Sequence, residues 1–217
     1  MIEYDNIIIG SGPSGLMCAS HLKSSTLVLE KNNDIGGKIK VSGGGRCNLT
    51  NNKDVEGIIN NVPRNGKFLY STLNKFGPKE IKNFFENNKL ELKEEDHNRV
   101  FPLDDKSLSV INTLMKVCKN NGVDFKVNHH VKEINKRNYY FEIDKKYKSK
   151  NLIIATGGKT YFNLGTTGDG YKFAEKFGHS ITELFPTECA LVSNDFLIQE
   201  KNFQGTSIKD AKVELIV

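Results

Sequence analysis

Apolar positions along the start of the chain fall into short blocks separated by turn residues. Residues 4–9 form a β-branched apolar run, residues 13–23 carry helix formers behind a proline suited to a first helical turn, and residues 26–30 are apolar again. This order predicts a β-α-β start. Residues 31–65 are rich in Gly, Asn and Lys with little periodicity and predict a long loop, a feature that is usually functional or disordered inside a compact domain. Helices are predicted over 67–76 and 79–87, broken by "FGP", then short strands over 90–93 and 99–101. The strongest helical pattern spans 107–121, with Ser107 as its cap and Gly122 closing it. The runs "DFKV", "VKEIN", "NYYFEID" and "YKSKNLIIA" predict a small antiparallel meander feeding a buried final strand over 152–155. A helix is expected over 169–177, stopped by Gly178, and a β pattern from Pro186 into "AKVELIV" at the end of the sequence.

With 217 residues the chain is longer than a typical domain of about 100–150 residues, so one domain and the start of another are expected, divided as 1–186 and 187–217. The fold class is α/β. The net charge of +5 comes from lysines dispersed among acids and asparagines rather than from one basic block, which argues against a nucleic-acid partner. Cys18, Cys47, Cys118 and Cys189 stand far apart with no C-x-x-C spacing, so reduced thiols are expected rather than a disulfide framework or a zinc site. No apolar run approaches the roughly 18 residues of a membrane span, and the first strand begins almost at Met1. A cytoplasmic protein without a membrane partner is expected.

The chemistry begins at Gly10, Gly12 and Gly15. In a strand-G-x-G-x-x-G-helix unit the first glycine permits the tight turn, the second lets the backbone approach a pyrophosphate, and the third lets helix and strand pack closely. Pro13 and Ser14 open the helix whose N-terminal N–H groups face the phosphates. Glu30, at the end of the second apolar run, is placed to accept from an adenosine ribose 2′-hydroxyl, which disfavours NADP. FAD and NAD share this adenosine half, so these residues leave the two open.

The stretch "GGKIKVSGGGRCNLTNN", 36–52, resembles the conserved NAD(P)/FAD-dependent oxidoreductase flavoproteins that carry an SGGGRCN-x-TN motif, one branch of which is described as aminoacetone oxidase and another linked to bile-acid dehydroxylation. "RVFP" at 99–102, "KS" at 106–107 and "ATGGKTYFNLGTTGDGYKFAEKFGH" at 155–179 extend the resemblance over nearly the whole chain. It implies a Rossmann-like FAD-binding domain with a small antiparallel β meander and the start of a β-rich inserted domain. It also implies an FAD-dependent oxidoreductase acting on a small-molecule substrate by hydride transfer, with NAD(P)H as a candidate electron donor. The implied cofactor contacts include Lys31, Gly37, Lys38, Ser42 and Val131. "ATGG" and "TTGDG" resemble fumarate-reductase-like flavoproteins as well, but the loop lacks the histidine used there for covalent attachment, so noncovalent FAD is expected. Members of the family are about twice as long. The sequence therefore looks like an N-terminal part, with the adenosine half of the site complete and the flavin-ring half to be completed by a missing segment or a second polypeptide. Alternatives are a nonenzymatic nucleotide-binding remnant, one half of a split flavoprotein, and a tRNA-modifying flavoprotein.

Several residues carry two readings. Gly43 and Gly44, with Gly45, can form an anion-binding nest, and Arg46 supplies either charge for a flavin or a salt bridge within the loop. Cys47 beside an arginine is a weak redox candidate without a resolving cysteine, and Asn48 a hydrogen-bonding residue. Thr156, Gly157 and Gly158 end a buried strand where ligands collect in doubly wound sheets, and Asp169 is either a helix cap or a cofactor contact. His129 and His130 are expected on opposite faces of a strand-like segment, which argues against a shared metal site. His97 and His179 lack an identifiable partner, and no catalytic residue is assigned.

Overall fold

The computed structural model describes residues 1–186, 194, 196–202, 205–206 and 212. Two compact units divide the chain, Met1–Thr182 and Glu183–Val217.

The first unit starts with β1 (Ile2–Ile9), α1 (Pro13–His21) and β2 (Thr26–Leu29). Burial of β1 rises along its length, from an exposed start to a fully buried Asn6–Ile9 end, as suits a central parallel strand. The one polar residue of that end, Asn6, is satisfied by Ser24 and Thr26 hydroxyls and by the Asn151 amide. Pro13 occupies the first turn of α1, where its missing N–H costs no helical bond.

Residues 31–65 differ from the single loop expected. They fold into α2 (Gly37–Val41), a 3₁₀ turn over Ser42–Gly45, the two-residue β3 (Thr50–Asn51) and α3 (Val55–Ile59). What orders them is anchoring at isolated positions: Ile39 packs with Leu16 and Ile111, and Asp54 caps α3 by accepting from Gly57 N at 2.7 Å. After a 3₁₀ turn at Gly66–Leu69 come α4 (Tyr70–Lys75) and α5 (Pro78–Asn87), then β4 (Leu92–Glu95) and β5 (Arg99–Pro102). Strands β3, β5 and β4, in that order, make a small antiparallel sheet.

The long helix α6 (Ser107–Asn120) is closed by Gly122, but Lys106 and not Ser107 precedes it. Ser107 is its first residue, and its hydroxyl reaches Lys40 O of α2 at 3.3 Å. The next strand, β6 (Val123–Lys126), corrects the predicted meander: "DFKV" pairs in parallel with β2, from Thr26↔Val123 to Leu29↔Lys126. The meander itself consists of β7 (Ile134–Lys136), β8 (Phe141–Ile143) and β9 (Tyr147–Ile154). β9 runs antiparallel to β8 and parallel to β1, giving one six-stranded sheet of order β6-β2-β1-β9-β8-β7.

Strand alternation divides the core. Ile7, Ile9, Leu27 and Leu29 pack with Val131, Ile134, Ile143 and Tyr147 of the meander side, while Ile8 and Val28 pack with Ala19 of α1 and Cys118 of α6. Beyond β9 the chain forms a 3₁₀ turn at Phe162–Leu164 and α7 (Asp169–Lys176). Gly168, not Asp169, is the residue before α7, so the expected aspartate cap is not made. In the second unit a short helix, α8 (Phe196–Gln199), is described where a β pattern is expected; "AKVELIV" lies outside the described residues except Lys212.

Candidate functional site

Strands β1, β2 and β9 all end at one cavity of about 540 Å³, the position where ligands collect in open parallel sheets. Of the residues singled out in the sequence, Gly10, Gly12, Pro13, Ser14, Glu30, Lys31, Gly37, Lys38, Val131, Thr156, Gly157 and Asp169 line it. Gly15, Ser42, Gly43, Gly44, Arg46, Cys47, Asn48 and Gly158 do not.

The three leading glycines are glycine for three different reasons. Gly10 has φ +104°, and a Cβ on it would lie 2.4 Å from the Ala155 carbonyl oxygen of β9. A Cβ on Gly15 would lie 2.0 Å from Gly10 O, so its absence brings α1 onto the turn. Gly12 is different: its φ of −71° suits any residue, and a Cβ there would meet no atom within 4 Å. Among the described residues nothing demands glycine at this position. The space belongs to the cavity, at an α1 N-terminus that has no side-chain cap and no acid in its first turn. That arrangement fits a diphosphate drawn against the helix.

Glu30 is held by its own turn. Oε2 accepts from Ser11 N (2.9 Å) and Ser11 Oγ (2.6 Å), and Oε1 from Asn32 N (2.9 Å). A carboxylate offers about four acceptor sites, so the side chain is oriented with one left for a ligand hydroxyl. Beside it, Lys31 Nζ donates to Thr167 Oγ1 (2.7 Å) and Asp169 Oδ2 (2.9 Å). Burial favours the neutral form of Asp169, but Lys31, Thr167 and His130 outweigh it and hold its carboxyl below the usual aspartate range. Lys38 Nζ donates to Thr160 Oγ1 at 3.1 Å and sits 5.4 Å from the Tyr161 ring centre.

His129 and His130 are residues the sequence pattern misplaces. Residues 127–133 are not a strand, and both histidines line the cavity. His129 Nε2 lies 3.0 Å from Asp144 Oδ2 and its backbone N donates to Glu30 O, while His130 Nε2 lies 3.4 Å from Asp169 Oδ2. No periodic signal marks them. Ser11 and Asn32 are likewise cavity-forming through Glu30, and adjacency to Gly10 and Glu30 is the only sequence clue. His97 and His179 lie outside the cavity lining.

The glycine loop is built from left-handed residues, with φ of +56°, +68° and +87° at Gly43 to Gly45 and +63° at Cys47. Arg46 makes a salt bridge within this region: its guanidinium lies 2.8 Å from Glu95 Oε1 and 3.3 Å from Asp105 Oδ1, stacked 4.1 Å from the Phe101 ring centre. Cys47 is buried against Leu16 and Ile39, and burial pushes its thiol up. Asn48, with its amide NH₂ turned toward β5, donates to Thr50 O and Val100 O. Gly158 O accepts from Gly168 N. Among the described residues no group of three or more His, Cys, Asp or Glu is placed to hold a metal, and no helix is long and apolar enough to cross a membrane.

The model of the HI0933-like protein Rossmann domain matches residues 4–209. The chain belongs to this family. This HI0933-like chain is 30% identical over 198 residues to the ribosomal RNA dihydrouridine synthase of Escherichia coli K12, covering 88% of this chain and 48% of that protein. It is 29% identical over 188 residues to the 3-dehydro-bile acid delta(4,6)-reductase of Clostridium scindens, covering 82% and 45%. The chain thus spans about half the length of these curated relatives. A flavocytochrome c3 fumarate reductase in its open conformation shares the fold, with a TM-score of 0.61 at 20% identity over 82% of this chain and 41% of that one. The fold is accordingly that of a Rossmann-like FAD-binding domain.

Proposed function

We propose that this chain is the cofactor-binding part of an oxidoreductase that holds FAD noncovalently and transfers hydride to a carbon–carbon double bond conjugated with a carbonyl. The observation that carries the cofactor reading is Gly12, a glycine with no conformational or packing need that opens onto the cavity between the α1 N-terminus and Glu30. The residues present fit the adenosine half of FAD. N–H groups of the first turn of α1 would face its diphosphate, Glu30 would accept from its ribose, and Val131, which lines the cavity, would meet its adenine side. Bound FAD supplies the two-electron chemistry. Gly43, Gly44, Arg46, Cys47 and Asn48, outside that cavity, are proposed to shape the flavin end. Gly36 N, at the start of α2, donates to Ser11 O, tying the segment that leads into this loop to the phosphate turn.

The reaction class draws on the relatives. Dihydrouridine is uridine with a conjugated ring double bond reduced, and a delta(4,6)-reductase of a 3-dehydro steroid acts on an enone system. Both names describe reduction of an activated double bond. Identity of 30% to a ribosomal RNA dihydrouridine synthase favours a second reading of the substrate, a uracil carried in RNA rather than a free small molecule. The test is to purify the intact protein, release its colour with acid, reduce the bound flavin with NADH or NADPH in the absence of oxygen, and add either a steroid dienone or a ribosomal RNA transcript. Reoxidation by one of them is expected and chooses between the readings. A colourless protein that takes up no FAD, flavin that stays on the denatured chain, or reduced flavin that neither compound reoxidises contradicts the proposal.

A further inference from the structure

Glu30 and Lys31 stand next to each other and carry opposite instructions. At the end of the second strand of a dinucleotide fold, an acid accepts from a ribose 2′-hydroxyl, whereas a nearby cation accommodates a 2′-phosphate. Lys31 is such a cation, lining the same cavity as Glu30. Its ammonium is already engaged, 2.9 Å from Asp169 Oδ2 and 2.7 Å from Thr167 Oγ1, with the Lys31 and Asp169 side chains only 20% and 18% exposed. The segment that carries Asp169 is fixed independently: Asn32 Nδ2 donates to Leu164 O at 3.1 Å, and the Thr166 hydroxyl donates to Thr160 O and Tyr161 O.

Resting on the reading of the cavity as an adenosine-nucleotide site, we propose that Asp169 is a specificity residue: it withdraws Lys31 from the ribose and so makes the cavity refuse 2′-phosphorylated nucleotides. Two carboxylates, Glu30 and Asp169, then face the ligand side of this corner, and the single lysine between them is neutralised. At this corner a 2′-phosphate would meet one uncompensated carboxylate charge, since the other lysine of the cavity, Lys38, is engaged at Thr160 and Tyr161. Removing the Asp169 charge leaves Lys31 a long flexible side chain without its ion pair to Asp169, able to turn toward such a phosphate. The acid at position 30 alone does not produce the selectivity, since a lysine directly after it would offset its charge.

The experiment is calorimetric titration of the 217-residue chain with ADP and with 2′-phospho-ADP, comparing the ratio of the two affinities among variants. The unsubstituted chain is expected to prefer ADP by about tenfold or more. Asp169→Asn, or Asp169→Ser should the first not fold, is expected to reduce that ratio at least about fivefold by gaining affinity for 2′-phospho-ADP. Asp169→Glu should keep the ratio, and the double variant Lys31→Met with Asp169→Asn should restore it, because no cation is released. An unchanged ratio in the single variants, or a double variant that behaves like Asp169→Asn alone, overturns the inference while leaving the nucleotide site intact. Absence of binding by either nucleotide to the unsubstituted chain would instead overturn the site reading, and this inference with it.

Discussion

Gly15 packs so closely on Gly10 that a Cβ added to Gly15 would lie 2.0 Å from the Gly10 carbonyl oxygen. The obstacle is backbone, not the end of a flexible side chain, so relief requires α1 to move away from the end of β1. Gly15→Ala is therefore predicted to act on the fold itself, costing roughly 1–3 kcal/mol as an overpacked contact between helix and strand. Urea unfolding of the nucleotide-free chain measures it, and a midpoint equal to that of the unsubstituted chain would show that the helix can shift without cost.

Glu30 is more than a ligand group. Its carboxylate accepts from the backbone N–H groups of both Ser11 and Asn32, and it is only 9% exposed. Glu30→Ala would leave those donors without their acceptor, at about 1–3 kcal/mol for a donor that stays buried. The variant is expected to lose stability before any nucleotide is added, and to lose nucleotide affinity as well. Thermal unfolding without ligand separates the two effects: a melting temperature unchanged from the unsubstituted chain would mean that the turn does not depend on this carboxylate.

Burial raises the thiols of Cys18, Cys47 and Cys118, the last to about 11. Since the thiolate is the reacting form, all three are expected to react slowly with a disulfide reagent at pH 8 and quickly once denaturant is added. Cys189 lies outside the described residues, so the native chain should show no more than one fast thiol. Two or more fast thiols would contradict the burial of this group and reopen Cys47 as a redox residue.

The parts legible in sequence were those whose signal is local. The β-α-β start follows from a buried apolar strand, a proline at the helix start and glycines at fixed spacing, and each of those features acts within a few residues of itself. Residues 31–65 were illegible because their order is borrowed: β3 is two residues long and exists as a strand through its pairing with β5, and α2 is held by the single buried Ile39. The strand character of "DFKV" was readable but its partner was not, since a run of alternating residues does not say which edge it joins. The same limit applies at the site. The glycines and Glu30 are a spacing pattern, whereas Lys31 and Asp169 are 138 positions apart and meet only because β9 lies beside β1. His129 and His130 share one cavity because their segment leaves the extended conformation in which neighbours would point apart.

The central claim, that the cavity at the ends of β1, β2 and β9 holds an adenosine diphosphate against α1, rests most directly on Gly12. Titration of ADP into the unsubstituted chain and into Gly12→Ala tests it, because the added methyl enters open space and is tolerated by the backbone at φ −71°. The account predicts heat of binding with the unsubstituted chain, and for Gly12→Ala an unchanged melting temperature without ligand together with an affinity loss of about tenfold or more, ~1.4 kcal/mol or above. ADP binding of equal strength to both proteins, or to neither, would contradict it.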